Sequence, residues 1–354
     1  MERNFYIDLA KKGLRMPIGV DLVLKTKKDH LNILTDGKRL GEVMEEACRI
    51  FNTPLAFSLM DLSVEKDWIL NILKIPNDKR DTFHFEYPFE EEKLNFILES
   101  LKRKDSITPR MNANLEALRY ISKKSSLLPV GMVIGPFSLT TKLLKDPIVS
   151  VYLAGDGFKA DDTVEIKMLK DTLKISIQTV ISSVEMQCEA NAKAIIICEP
   201  AANTTFFSPK QIETGSDIFE RFVIIPNLEI KSILEKKNVD LIFHDCGELT
   251  DEMLKSFNKL NPVILSLGSS RRLWEDAKLI KNDIVLFGNL PTKKFYSDNE
   301  IDINTVKNMA KILIEKMKET NHPFILGSEC DVLSVTGAEN SIWEKVKAFC
   351  SFSI

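Results

Sequence analysis

The chain has 354 residues, of which 44% are apolar and 28% are charged, and its formal net charge is −3. These values provide for a large buried core and a well-solvated surface, and the length is within the range of single-domain α/β barrels. The weak charge, without a concentrated Lys/Arg run, argues against nucleic-acid binding, and no apolar run approaches the ~20 residues that span a bilayer. Because the N-terminus lacks the apolar core of a signal peptide, we expect a cytoplasmic protein.

Eight short apolar segments recur along the chain, separated by longer amphipathic stretches. Continuous apolar runs of this length are typical of parallel strands that are covered on both faces. We therefore predict strands at residues 16–20, 54–60, 128–134, 194–198, 239–244, 263–267, 284–288 and 324–327. The intervening sequence predicts helices, of which the clearest are 165–191, 228–236, 248–258, 302–319 and 339–351.

Strands and helices that alternate in this way predict an α/β fold, a (β/α)8 TIM barrel formed by a single domain over residues 1–354. An open doubly wound sheet is the alternative. That fold would be expected to show a glycine-rich phosphate-binding motif after its first strand, and the sequence has none. The segment 61–126 is too long for a simple connection, so we expect a long insertion after the second strand, with hairpins and helices over one mouth of the barrel.

A candidate metal-binding set is formed by His244 and Cys246, at the end of the fifth predicted strand, and Cys330, after the eighth. Functional residues of a TIM barrel lie at the carboxyl ends of its strands, so these side chains can converge over the barrel mouth. One imidazole and two thiolates leave one position of a tetrahedral zinc ion open, which is typical of catalytic zinc. Chance occurrence of these residue types is the alternative, and their placement at strand ends argues against it.

Other polar residues are predicted at the same end of the barrel. Glu199 is a candidate catalytic residue that fills the open zinc position or orients the substrate, with a surface ion pair as the alternative. Asp61 is left open between a catalytic role and a charge at the start of a helix. Asn289 is a candidate that either binds the substrate through a hydrogen bond or orients a zinc ligand. The turn from Gly135 to Ser138 offers backbone N–H groups to a substrate anion, with a plain tight turn as the alternative.

Five regions of the chain, in this order, resemble motifs of the uroporphyrinogen decarboxylase superfamily, and more closely those of its zinc-dependent corrinoid methyltransferase branch, of the methylcobalamin:coenzyme M type. They are Met60-Asp61-Leu62-Ser63-Val64-Glu65, Gly135-Pro136-Phe137-Ser138-Leu139, His244-Asp245-Cys246-Gly247, Gly288-Asn289-Leu290, and Gly327-Ser328-Glu329-Cys330 with Thr336-Gly337-Ala338-Glu339-Asn340. The resemblance covers nearly the whole chain. It implies a TIM barrel and a Zn2+ ion held by His244, Cys246 and Cys330.

The sequence also departs from both branches of the superfamily. Decarboxylases of the superfamily use no metal and carry several arginines near the N-terminus for the carboxylates of their substrate, whereas the corresponding region here has only Arg15. Methyltransferases of the branch usually have Pro-Gly before the last Cys, where this chain has Ser328 and Glu329. They often have Pro in the turn where this chain has Gly337. These departures bear on the substrate more than on the metal.

The ligand set suits the transfer of a methyl group to sulfur, because zinc binding deprotonates a thiol and leaves it nucleophilic. We therefore expect a methyltransferase that works between a corrinoid, methylcobalamin, and a small thiol such as coenzyme M or homocysteine. Since the chain has no cobalamin-binding Asp-x-His-x-x-Gly motif, a separate corrinoid protein would dock transiently at the barrel mouth. A homodimer is also common in the superfamily.

Three other functions are left open. Transfer in the opposite direction would make the protein an O-demethylase component. A metal-free decarboxylase of tetrapyrroles is the second alternative. A non-catalytic barrel that acts as a binding or assembly subunit is the third.

Overall fold

The computed structural model describes residues 3–124 and 126–351. At its centre is an eight-stranded sheet in the order β1-β8-β7-β6-β5-β4-β3-β2, and each neighbouring pair is parallel. The strands are β1 (Arg15–Ile18), β2 (Leu55–Phe57), β3 (Leu128–Ile134), β4 (Ala194–Cys198), β5 (Asp240–Asp245), β6 (Ile264–Leu267), β7 (Val285–Leu290) and β8 (Phe324–Asp331). The sheet forms a nearly closed (β/α)8 barrel, so the predicted fold class is confirmed.

Helices connect consecutive strands and surround the barrel. They are α1 (Arg3–Lys11), α2 (Val20–Leu24), α3 (His30–Ile33), α4 (Gly37–Ile50), α5 (Val64–Ile72), α6 (Glu91–Lys102), α7 (Pro109–Ile121), α8 (Pro136–Leu143), α9 (Pro147–Gly155), α10 (Val164–Glu189), α11 (Pro209–Glu213), α12 (Ile225–Lys236), α13 (Asp251–Ser256), α14 (Leu273–Asp276), α15 (Ile303–Thr320) and α16 (Glu339–Cys350). None of the helices in the described part of the chain has the length and apolar sequence that crossing a bilayer requires.

The strands are buried on both faces, as their continuous apolar sequences predict. All seven residues of β3 and all five of β4 are buried. The parallel register pairs Cys198 at the end of β4 with His244 in β5, and His244 in turn with Ser266 in β6. This register brings the carboxyl ends of three neighbouring strands to one level, and the candidate site lies there.

The insertion after β2 is helical. It contains α5, α6, α7 and a 3-10 turn at Asn77–Lys79, and the predicted hairpins were wrong. In the described part of this insertion, Phe85 forms an isolated parallel β-bridge with Leu144, which is not a hairpin. Local sequence explains α7, because the Thr108 side chain accepts the N–H of Met111 and Pro109 begins the helix. Since α7 packs against α4 and α6 against α10, the insertion extends the outer helical layer.

Glu65 in α5 is a buried acid that makes stability depend on pH. Its carboxyl group accepts a hydrogen bond from the Ser183 hydroxyl of α10 at 2.9 Å, and burial raises its pKa to about 7. Because the folded protein holds this proton more tightly than the unfolded chain, the contribution of Glu65 to the free energy of unfolding is largest at low pH. It decreases as the pH rises through the folded-state pKa.

We expect Glu65→Gln to remove this pH dependence, because glutamine keeps the shape of the protonated acid. The difference in free energy of unfolding between the variant and the wild type is measured at about pH 4.5 and at about pH 8. From the lower to the higher pH, this difference should shift in favour of the variant by on the order of 3 kcal/mol. Urea unfolding of both proteins at the two pH values measures this. A difference between the proteins that does not change with pH would contradict the proposed protonation of Glu65.

Candidate metal centre

The structure brings His244, Cys246 and Cys330 together at the carboxyl end of the barrel. Their candidate ligand atoms all lie within 4.8 Å of one another. His244 lies in β5, Cys246 directly follows that strand, and Cys330 lies near the end of β8. Closure of the barrel thus unites residues that are far apart in the sequence, as expected for side chains above strand ends.

The His244 imidazole is buried and oriented through one of its nitrogens. Its Nδ1 lies 2.8 Å from the Ser266 hydroxyl of β6. Its Nε2 is buried and has no hydrogen-bond partner among the residues that the structure describes. An unsatisfied buried nitrogen costs free energy, and a metal ion bound at Nε2 would remove that cost. When Nδ1 donates its hydrogen to the Ser266 hydroxyl, Nε2 carries the lone pair that a metal ion binds.

The two thiols of the group are strongly coupled. The interaction with the Cys330 thiol, helped by the nearby His244 imidazole, lowers the pKa of Cys246 well below its ordinary value. The same interaction, together with burial, raises the pKa of Cys330. One thiolate thus forms readily, and the second proton leaves when a cation binds, as metal binding to a pair of cysteines requires.

This donor set fits zinc. A tetrahedral zinc ion with bonds of about 2.0–2.3 Å holds its ligand atoms roughly 3.5–4 Å apart. Ligand atoms that lie within 4.8 Å of one another reach that arrangement with small side-chain movements. Two thiolates and a neutral imidazole balance the charge of the ion and leave a fourth position for another ligand.

Glu199 is fully buried against the start of α8 and is not part of this ligand group. Its carboxylate accepts the N–H groups of Phe137 at 3.1 Å and Ser138 at 2.8 Å, and the amide of Asn227 at 3.1 Å. Burial raises the pKa of Glu199, while its contacts with Ser138 oppose that shift. A Cβ at Gly135 would collide with the same carboxyl group, so glycine is needed there.

These contacts correct the sequence-based interpretation of the turn from Gly135 to Ser138. The anion at its backbone N–H groups is the carboxylate of Glu199 in the same chain, so those groups are not free for a substrate. The Ser138 hydroxyl is also used, since it accepts the N–H of Ala201 at 3.0 Å. A surface ion pair is excluded for Glu199 as well, because the side chain is buried.

The family model for uroporphyrinogen decarboxylase (URO-D) matches residues 19–349. The chain belongs to the URO-D family. A methyltransferase from Methanosarcina mazei has a similar solved structure, with a TM-score of 0.68 and 18% sequence identity over 96% of each chain. That likeness shows a shared fold. No curated protein matches the sequence.

Asn289 supports the loop after β6 in this URO-D family member. Its side-chain amide donates to the carbonyl oxygens of Gly268 at 2.8 Å and Arg271 at 2.9 Å. Gly268 lies so close to Cys246 that a Cβ there would be 2.6 Å from the Cys246 carbonyl oxygen. Asn289 therefore helps to position the loop beside Cys246, and its contact with substrate stays a prediction.

Asp61 forms an ion pair with Arg110 of α7. It also accepts hydrogen bonds from the backbone N–H and hydroxyl of Ser63, at 3.1 and 2.7 Å, at the start of α5. These contacts explain Asp61 as a helix-start residue, and a catalytic role for it stays a prediction. The neighbouring Met60 reaches the site instead, since its Sδ lies 3.9 Å from the Sγ of Cys330.

The departures from the methyltransferase pattern before Cys330 have structural partners. The Ser328 hydroxyl accepts the N–H of Ile18 at 2.9 Å. The Glu329 carboxylate accepts the Ser269 hydroxyl at 2.6 Å and the backbone N–H of Lys293 at 3.2 Å. Glu329 thus joins the loops after β6 and β7 around the three candidate ligands.

Sequence reasoning missed two charged residues near the candidate metal ligands, Lys293 and Asp331. A cavity of about 290 Å3, here called the Cys330 pocket, is lined by Met60, Leu62, Lys293, Tyr296, Cys330 and Asp331, among others. Lys293 follows β7, and Asp331 is the last residue of β8. Their position at a strand end or just after one is the signal that would have found them.

Ser266 offers a test of how the protein orients the metal ligand. We expect Ser266→Ala to weaken zinc binding by about 10- to 100-fold, because the His244 ring loses the partner that fixes its orientation. Competition with a chromogenic chelator measures the affinity. Ser232→Ala, on the exposed surface of α12, is the matched control and should leave it unchanged. Equal affinity in Ser266→Ala and the wild type would contradict this role.

Proposed function

We propose that this chain is a zinc-dependent methyltransferase that transfers a methyl group from a corrinoid to a small thiol. The observation that carries the proposal is the convergence of His244, Cys246 and Cys330. In addition, the buried Nε2 of His244 has no hydrogen-bond partner in the described part of the chain. Membership of the URO-D family and the fold shared with a methyltransferase support it.

The residue types favour chemistry at sulfur. Bound at these three ligands, zinc would hold the thiol of the substrate as a thiolate at neutral pH and leave it nucleophilic. Hydrolytic zinc sites are more commonly built from histidines and carboxylates. Here Ser266 orients the imidazole, and the ammonium group of Lys293 lies near the thiols of Cys246 and Cys330. That cation offsets the negative charge that a third sulfur ligand would add.

A separate corrinoid protein is the proposed partner, and the corrinoid supplies a methyl group that leaves without its bonding electrons. The rim of the Cys330 pocket supports a docking site, because Tyr296, Leu333 and Val335 are exposed there by 46%, 60% and 41%. Exposed apolar groups around a cavity are typical of an interaction surface. They surround the pocket that reaches Cys330, where the methyl donor has to arrive.

The distribution of cations argues against decarboxylation of a porphyrinogen. That substrate carries many carboxylates and needs several cations around it. Arg15, the one arginine in the N-terminal motif region, is the first residue of β1. It therefore lies at the amino end of the barrel, opposite the end that carries His244 and Cys330.

Methyl transfer from methylcobalamin to thiols tests the proposal. Zinc-loaded protein is expected to consume methylcobalamin and to form a thioether, followed by absorbance and mass spectrometry. Cys350→Ser, which changes a cysteine outside the ligand group, should retain the activity, and Cys330→Ser should lose it. Formation of methylcobalamin from a methyl donor would assign the opposite direction. A zinc-loaded protein without transfer in either direction would contradict the proposal.

A further inference from the structure

Two groups of opposite charge line the Cys330 pocket. Lys293 belongs to the turn after β7, and Asp331 ends β8, the neighbouring strand in the barrel. The remaining wall is mainly apolar and includes Met60, Leu333 and Ile342. A ligand that reaches the sulfur of Cys330 through this pocket therefore meets one cation and one acid.

Asp331 has no cationic partner within the described structure. It is only 6% exposed, and neither carboxyl oxygen has a hydrogen-bond partner within the described structure. Asp21, which acts on it electrostatically, is a second acid, and it accepts the N–H of Ser334 at 3.0 Å. A buried carboxylate without a partner is costly, and a cationic ligand is the group that relieves this cost.

Lys293 is the complementary anion-binding group. Glu329 holds its backbone N–H at 3.2 Å, so the turn that carries the side chain is fixed. Its side chain is exposed at the pocket rim, and its ammonium group interacts electrostatically with the thiols of Cys246 and Cys330. A small anionic group in the pocket would pair with it at close range. The predicted anion site at Ser138 is already occupied, which leaves Lys293 as the cation beside the metal ligands.

We propose that the Cys330 pocket binds an amino-acid thiol, with Asp331 receiving its ammonium group and Lys293 its carboxylate. This inference rests on the proposed function, because the sulfur of the same molecule is the methyl acceptor. The volume of about 290 Å3 is at the lower limit of the roughly 300–1,000 Å3 of ligand sites, which suits a small metabolite. A sulfonate thiol such as coenzyme M would leave Asp331 without a partner.

Binding of thioethers tests this inference without the methyl-transfer reaction. Calorimetry on the zinc-loaded full chain compares L-methionine with its deaminated and decarboxylated analogues and with S-methyl coenzyme M. We expect L-methionine to bind most tightly, and loss of its ammonium group to weaken binding by about 10- to 100-fold, as for a charged hydrogen bond to a buried group.

Two variants assign the groups. Asp331→Asn should remove the preference for L-methionine over the deaminated analogue, and Lys293→Met should remove the preference over the decarboxylated one. Lys294→Met, at the exposed neighbouring lysine, is the control and should keep both preferences. Zinc content is measured in each variant, so that loss of the metal is distinguished from loss of ligand contacts.

The outcomes separate the two proposals. Equal binding of L-methionine and its deaminated analogue by the wild type, or tighter binding of S-methyl coenzyme M, would overturn the amino-acid assignment alone. A protein that binds no zinc, or that transfers a methyl group to no thiol, would overturn the proposed function and with it this inference.

Discussion

Replacing Cys330 with serine is expected to remove the bound zinc and abolish methyl transfer. The substitution leaves two of the three candidate ligands, and it removes a thiolate whose negative charge balances the ion. Loss of a supporting group around a metal ligand costs about 10- to 100-fold in affinity, and loss of a ligand itself should cost more than the upper value. Metal analysis after dialysis against a weak chelator measures the zinc per chain.

Cys48→Ser provides the matched control for this experiment. Cys48 is buried, and its thiol lies 3.6 Å from the Leu55 carbonyl oxygen, away from the ligand group. We expect this variant to bind as much zinc as the wild type. Full zinc content in Cys330→Ser, or equal loss in both variants, would contradict a specific metal site at the end of β8.

Glu199→Gln should destabilise the fold strongly without removing zinc. Its hydrogen bonds from the backbone of Phe137 and Ser138 and from the Asn227 amide all come from N–H groups, so the N–H2 group of glutamine would face another N–H donor. Leaving such a buried group unsatisfied costs about 1–3 kcal/mol, and more at a charged site. Glu199→Ala also creates a cavity, which brings the expected cost to about 3–5 kcal/mol. Urea unfolding measures the free energy, and metal analysis measures the zinc.

The exposed Glu229→Gln on α12 is the control, with an expected change within about 0.5 kcal/mol. The experiment also separates the structural role of Glu199 from a catalytic one. If Glu199→Gln kept the stability of the wild type and lost methyl transfer, the buried carboxylate would act on the reaction rather than on the start of α8.

The barrel was predictable because its strands carry their signal locally. A run such as that of β4 is apolar throughout, and only burial on both faces explains such a run. The position of His244, Cys246 and Cys330 at predicted strand ends then indicated one metal site. The barrel fold, and not their spacing in the sequence, brings these three side chains together.

The remaining features depend on contacts between segments. Nothing near Glu199 in the sequence shows that its carboxylate ends at the N–H groups of Ser138, because that contact depends on how β4 lies beside α8. Lys293 and Asp331 face a common pocket for the same reason, although each belongs to a different strand end. The length of the segment 61–126 predicted an insertion, but length alone did not distinguish hairpins from the helices that form.

X-ray absorption at the zinc edge, before and after addition of a thiol, tests the central claim most directly. The account predicts one nitrogen and two sulfur ligands from His244, Cys246 and Cys330 in the resting protein. Addition of the substrate thiol should add one further sulfur ligand. A zinc shell without protein sulfur, or one that gains no sulfur at saturating thiol, would contradict a site that activates the thiol for methyl transfer.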